Sequence, residues 1–373
     1  MRTLKHREPE PSDDAFFDPT LRAPFPWYGG KSKAAPIIWK AMGDVKNYVE
    51  PFAGSLATLL ARPHAPKIET INDKDAWVAN FWRAVQADPD AVAGFANWPI
   101  NEADLSARHV WLVNKRAEIA ERVTVDPDFF DPKVAGWWVW GVCIWIGAGW
   151  CDGRGPWNTD DGKTWVKRPI NGSDARGVKH SMPMLQIPGG VHRYTDKGLN
   201  DRGITKGLPD LVNPRGVHRR TDRGVSRQLP ELGNFGRGAA RDMTTETLHA
   251  WFSTLRVTCG DWSRVLCKTA TVVHGTTGIL LDPPYDQHEG TEGLYAEKDI
   301  EGLSEAVGEW AIEHGDDKRL RIVLCGYDGT FDPPPGWRTM PWFNGSSVGR
   351  GSEKALKGRL RERLWMSPHC FVV

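Results

Sequence analysis

Apolar positions follow two rhythms along the chain. Short runs of branched or aromatic residues, Tyr48-Val49, Ile279-Leu280-Leu281 and 320–324, read as buried strands, and Ile71-Asn72-Asp73 ends another. Between them apolar residues recur at helical spacing. Residues 33–43 predict a short helix stopped by Gly43. Val78, Phe81, Trp82 and Val85 fall at i, i+3, i+4 and i+7 of a second helix, and residues 102–125 read as a long charged one. Ile300, Leu303, Val307, Trp310 and His314 mark another helix face. Strand, Gly turn, helix and strand in alternation predict an α/β domain around a largely parallel sheet. The run GWWVWGVCIWIGAGWC (136–151) is apolar but shorter than the ~20 residues a bilayer requires, and its tryptophans read as core.

Length sharpens this picture: 373 residues suit two domains, or one with a large insertion. The polar N-terminus has no apolar stretch resembling a signal peptide, and the six cysteines form no C-x-x-C, which together point to a reducing cytoplasm. No spacing of His or Cys suggests a metal site. The net charge of +1 conceals an asymmetry. Residues 163–241 hold sixteen Lys and Arg against six Asp and Glu, so the remainder is acidic. Within that window GVHRYTDKG (190–198) recurs as GVHRRTDRG (216–224), and RGVKHSMPML (176–185) as RGITKGLPDL (202–211). These Gly- and Arg-rich units have too few aromatics to stack as a solenoid, and they read as loops presenting cations to a polyanion. The expected organisation is therefore a tail (1–21), a catalytic domain in two pieces (22–95 and 245–373) and a basic insert (96–244).

Three motifs carry chemistry. Asp282-Pro283-Pro284-Tyr285 directly follows the strand GILL. A carboxylate at a strand's C-terminal end, on a turn stiffened by prolines, faces the crevice where α/β domains bind ligands. Asp282 and the Pro283 carbonyl suit the two hydrogens of an exocyclic amine, and Tyr285 suits stacking on a planar ring. Glu50-Pro51-Phe52-Ala53-Gly54-Ser55 joins a strand to a helix through a Gly turn that admits a ligand close to the backbone, and Asp73 follows about twenty residues on. Trp27-Tyr28-Gly29-Gly30-Lys31-Ser32 contains GKS, but the first Gly of a nucleotide-triphosphate loop is replaced by Phe25, which excludes that reading.

In this order the motifs resemble the Dam-like (D12 class) DNA N6-adenine methyltransferases. WYGGK resembles that family's W-x-G-G-K, VEPFAGS its S-adenosylmethionine loop, IND (71–73) its N-D-I-N segment, and CGDW (259–262) the G-D-[FW] upstream of D-P-P-Y. CGYDG (325–329) and RERLWMSP (361–368) resemble its C-terminal region. The resemblance covers roughly 22–90 and 250–368. It implies a Rossmann-like methyltransferase sheet interrupted by a helical, loop-rich DNA-recognition insert. It also implies an enzyme that moves a methyl group from S-adenosylmethionine to a flipped adenine, with DNA as partner and no metal. The catalytic residues it implies are Asp282, Pro283, Pro284 and Tyr285. Trp27, Tyr28, Gly30, Lys31, Glu50, Phe52, Gly54, Ser55, Asp73, Asp261 and Trp262 would form the cofactor site, with Asp73 on the ribose and Asp261 either at the adenine end or bracing the site. Arg193, Arg215, Arg219, Arg220, Arg223 and Arg227 would meet DNA, mostly at phosphates, giving a short or relaxed sequence preference. Two positions depart from the family pattern: Leu56 replaces a small residue in the cofactor loop, and Lys74-Asp75 replaces I-N after the acid.

Three rivals stand beside this reading. RNA base methylation is disfavoured by WYGGK and the long insert before D-P-P-Y, and N4-cytosine methylation by Asp rather than Ser at position 282. A non-catalytic DNA-binding relic is disfavoured by the intact Asp282–Tyr285 motif.

Overall fold

The computed structural model describes residues 23–27, 29–65, 67–145, 150–151, 252, 254–284, 302–342 and 361–373, and the backbone of four two-residue strands between them. The expected N-terminal tail and the basic repeats lie outside the described residues, apart from three of those short strands.

In chain order the elements are α1 (Ala35–Met42), β1 (Asn47–Glu50), α2 (Ala57–Leu60), β2 (Ile68–Asp73), α3 (Ala76–Ala87), α4 (Pro89–Ala96), α5 (Glu102–Val125) and α6 (Pro132–Ile144). Two small antiparallel pairs follow, β3 (Trp157–Asn158) with β4 (Val166–Lys167) and β5 (Gln186–Ile187) with β6 (Gly190–Val191). Then come β7 (Leu255–Cys259), β8 (Thr277–Leu281), α7 (Leu303–His314), β9 (Leu320–Tyr327), β10 (Arg338–Pro341) and β11 (Glu362–Met366).

Seven strands form one sheet in the order β10-β11-β9-β8-β1-β2-β7. All neighbours from β7 to β9 are parallel, and β11 runs against both β9 and β10. This mixed, helix-flanked sheet is consistent with the Rossmann-like arrangement that the resemblance implies. The order reverses between β1 and β8, so the ligand crevice lies past their C-terminal ends.

The sheet is covered on both faces, which explains its continuous apolar runs. Ile279 and Leu281 of β8, Ile322 and Leu324 of β9 and Trp365 of β11 pack beneath Val307 and Ala311 of α7. The alternate residues Leu280, Val323, Leu364 and Met366 belong to a larger core with α1 and α3. That core runs on without a break through α4, α5 and α6, crossing the position near residue 96 where the insert was expected to begin.

The helix signals correspond to local causes. Gly43 closes α1 at φ +64°. The side chains of Asp75, Asp88, Asn101 and Asp131 each cap the first turn of α3, α4, α5 and α6. Of the tryptophan run, Trp138 and Trp140 are buried as expected, whereas Trp137 is only partly covered.

Candidate active site

Four acids singled out in the sequence lie at or just past the C-terminal ends of four adjacent parallel strands: Glu50 on β1, Asp73 on β2, Asp261 after β7 and Asp282 after β8. Parallel pairing alone brings them to one rim of the sheet.

The segment before α1 folds over this rim. The Lys31 carbonyl accepts the Ala34 and Ala35 N–H groups at 2.9 and 2.8 Å, which starts α1 and fixes Lys31. Its ammonium is almost fully buried and meets Asp282 Oδ1 at 2.7 Å, with a second hydrogen bond of 2.7 Å to the Gly29 carbonyl. Burial alone would depress this ammonium, but Asp282, with Glu362 behind it, raises it above the ordinary lysine value. Trp342 lies 5.8 Å from the same nitrogen. Lys31 thus anchors the carboxylate of the D-P-P-Y turn. On the far side of that turn, the Ser304 hydroxyl donates to the Pro284 carbonyl at 3.2 Å.

Gly54 is required twice. Its φ is +47°, and a Cβ there would sit 2.5 Å from Cδ1 and Nε1 of Trp27. Trp27 therefore packs directly on the Gly turn, and Gly30 donates its N–H to the Trp27 carbonyl at 3.2 Å. The Gly54 carbonyl accepts from Trp82 Nε1 at 2.9 Å. Two residues on, Leu56 is fully buried in a left-handed conformation (φ +53°). The departure from a small residue is thus accommodated as backbone strain beneath a packed side chain. Ser55 is also buried.

Glu50 is buried and accepts the Tyr48 hydroxyl at 2.9 Å. Burial pushes its carboxyl up to about 8; the Tyr48 hydrogen bond opposes this, while the Asp282 and Asp73 carboxylates add to it. An acid held protonated in an enclosed crevice is suited to a cationic ligand that restores its charge.

Asp73 braces the rim. Its Oδ2 accepts the Gly54 N–H and its Oδ1 the Asp75 N–H, both at 2.9 Å, so its carboxylate ties the Gly turn to the start of α3. Asp261 is exposed and accepts from the backbone and hydroxyl of Ser263, capping a short 3-10 turn. Trp262 stacks on Phe52, with centroids 6.2 Å apart and planes at 25°. Pro283 is buried behind Asp282. Tyr28, Tyr285, Arg193, Arg215, Arg219, Arg220, Arg223 and Arg227 lie outside the described residues.

Asn72 was read only as part of the IND segment, with no role of its own. It is buried and donates to the carbonyls of Pro51 (3.1 Å) and Gly260 (3.0 Å), while accepting from Thr258 (2.9 Å). One amide thereby links the ends of β1, β2 and β7. Tyr48 was read only as a strand residue, although a spacing of two puts it on the same strand face as Glu50. Residues 27–105 match the family model of D12 class N6 adenine-specific DNA methyltransferases. The match indicates an S-adenosylmethionine-dependent, adenine-specific DNA methyltransferase. It runs from the Trp27 segment through the Gly turn, β2 and α3 into α5, while the Asp282 turn lies beyond it. No curated protein matches the chain. Among the described residues no group of three or more His, Cys, Asp or Glu could hold a metal ion, and no helix is long and apolar enough to cross a membrane.

Proposed function

We propose that the Asp282 turn receives an adenine swung out of DNA and presents its N6 to the methyl donor. The observation that carries this reading is the Lys31–Asp282 pair at the end of β8, beside the Gly turn. S-adenosylmethionine supplies an electrophilic methyl on a sulfonium. The buried Glu50 fits such a cationic cofactor, and the Gly54 turn beneath Trp27 fits close backbone approach.

Asp282, fixed by Lys31, accepts one N6 hydrogen, and the Pro283 carbonyl accepts the other. These bonds orient the nitrogen lone pair, so positioning supplies much of the rate and no enzyme nucleophile is required. Tyr285 stacks on the base and offsets part of the few kcal/mol that flipping costs. The Asp73 carboxylate orders the Gly turn and would hold the ribose hydroxyls of the cofactor. Residues 96–244 form the recognition insert, whose repeated Arg units hold phosphates and give a short or relaxed site preference. Six cysteines that form no disulfide suit the cytoplasm of a bacterial or phage-infected cell.

Nucleoside mass spectrometry of unmethylated DNA incubated with protein and S-adenosylmethionine tests this reading, with Asp282→Ala as control. N6-methyladenine that disappears in the control is the expected result. N4-methylcytosine, or methylation of RNA alone, would refute the base or substrate assignment. A salt dependence too shallow for several phosphate contacts would refute the role of the basic repeats.

A further inference from the structure

The helical layer carries a second feature, separate from the crevice. Helices α4, α5 and α6 enclose an open groove of about 810 Å³, lined among others by Phe95, Trp98, Trp111, Trp137, Asp104 and Arg108. Its walls are aromatic. Trp98 is 47% exposed and Phe95 37%, unusual for rings of this size. Trp111 and Trp137 meet edge to face, with centroids 5.0 Å apart. Gly94 opens the floor of α4, because a Cβ there would meet nothing within 4 Å.

Polar groups at the groove are few and placed. Arg108 is 6% exposed, and its guanidinium lies 4.3 to 5.1 Å from the ring centres of Trp140, Trp137 and Trp98. Its Nη1 has no hydrogen-bond acceptor among the described residues. A buried guanidinium nitrogen without an acceptor is costly unless a ligand supplies one. Asp104 accepts the Trp98 indole N–H at 2.6 Å and bonds the Asn101 amide, both through Oδ2. At the rim, Lys133 lies 4.5 Å from the Trp137 ring centre and 4.7 Å from that of Trp111.

Flat apolar walls, a carboxylate acceptor, a guanidinium donor and a rim ammonium together fit one kind of occupant: a planar heterocycle with hydrogen-bonding edges and an attached phosphate. We propose that this groove is a nucleotide-holding site that takes an unpaired base of the DNA substrate, apart from the base being methylated. The ring stacks on the tryptophans, its edge meets Asp104 and Arg108, and its phosphate meets Lys133. The proposal rests on the methyltransferase reading only in taking DNA as the partner. The cationic rim favours a nucleic acid over an apolar protein segment.

The probe is a DNA duplex carrying one 2-aminopurine in a single-nucleotide bulge, titrated with the full chain. Gly94→Leu fills the groove from a position with free space, and Trp98→Ala removes a half-exposed wall. Each should weaken binding of the bulged probe by about 5- to 160-fold, the range of one lost base–aromatic stack. Each should also abolish quenching of 2-aminopurine while leaving S-adenosylmethionine affinity unchanged. Lys133→Gln should reduce the slope of log affinity against log salt by about 1. Wild-type binding of the bulged probe with no change in either groove variant would overturn the site and leave the methyltransferase reading intact. A wild-type chain that binds no DNA would overturn both. A shift in sedimentation of the groove variants, with probe affinity unaltered, would replace the nucleotide with a second copy of the chain.

Discussion

Replacing Lys31 by Met removes one charge and keeps most of the side chain's length. The ammonium is 2% exposed and Asp282 18%. Breaking a fully buried pair typically costs about 3–5 kcal/mol, because the remaining charge is left without compensation. Asp282 retains some water, so Lys31→Met should destabilise the protein by about 2–3 kcal/mol. Asp282→Asn strands the more deeply buried ammonium, which keeps its hydrogen bond to the Gly29 carbonyl, and should cost about 3–4 kcal/mol. The double variant removes both charges together. It should therefore lose well under the sum, with a coupling energy of about 2–3 kcal/mol in urea denaturation. Activity gives a second readout. Without Lys31 the Asp282 carboxylate loses the cation that fixes it, so kcat for methyl transfer should fall at least about tenfold. Additive destabilisation within about 0.5 kcal/mol, or an unchanged kcat, would refute the idea that Lys31 acts on Asp282.

Other expectations follow from the same rim. Glu50 titrates near 8 in the ligand-free crevice, so a cation must displace a proton at neutral pH. Affinity for S-adenosylmethionine should then rise as pH climbs towards 8 and level off above it, with proton release visible by calorimetry in buffers of different ionisation enthalpy. Glu50→Gln should flatten that profile and weaken binding. Gly54→Ala drives a methyl into the Trp27 ring and should reduce cofactor affinity at least tenfold in an equilibrium binding assay. Leu56→Gly relieves about 1 kcal/mol of left-handed strain but empties a fully buried site, so chemical denaturation should show a net loss of about 1–3 kcal/mol. Asn72→Ala unties three strand ends and should cost about 2–3 kcal/mol by the same measurement.

Much of this site was legible because its acids follow apolar strands directly. An acid after GILL or after a Gly-turn strand can only sit at the ligand end of a parallel sheet, which is how Glu50, Asp73 and Asp282 declared themselves. What local pattern could not show was pairing over distance. Lys31 and Asp282 are separated by most of the chain, and Trp342 and Glu362 come from still further along. Nor does residue type disclose what a carboxylate holds. Asp73 was read as a ribose ligand, and its oxygens also bind two backbone N–H groups; Asp261 was left between ligand and brace, and it caps a turn. The tryptophan run divides by helical geometry. Neighbours on α6 point about 100° apart, so Trp138 enters the core while Trp137 faces the groove.

The position of β7 at the edge of the sheet bears on how this chain could change over generations. Strands β2 and β7 lie side by side, yet residues 74–254 separate them in sequence. Closing a loop of that length in place of a crossover of about 15 residues costs only about 2 kcal/mol more, because closure entropy grows with the logarithm of length. The connection leaves and returns at the outermost pair, so lengthening it displaces no other strand. Segments can therefore be gained, duplicated or exchanged there at small thermodynamic penalty. The 26-residue repeats in the basic region record one such duplication. Glu50, Asp282 and Lys31, held by the inner strands and α1, stay insulated from it, so the target a chain of this design reads can drift while its chemistry stays fixed.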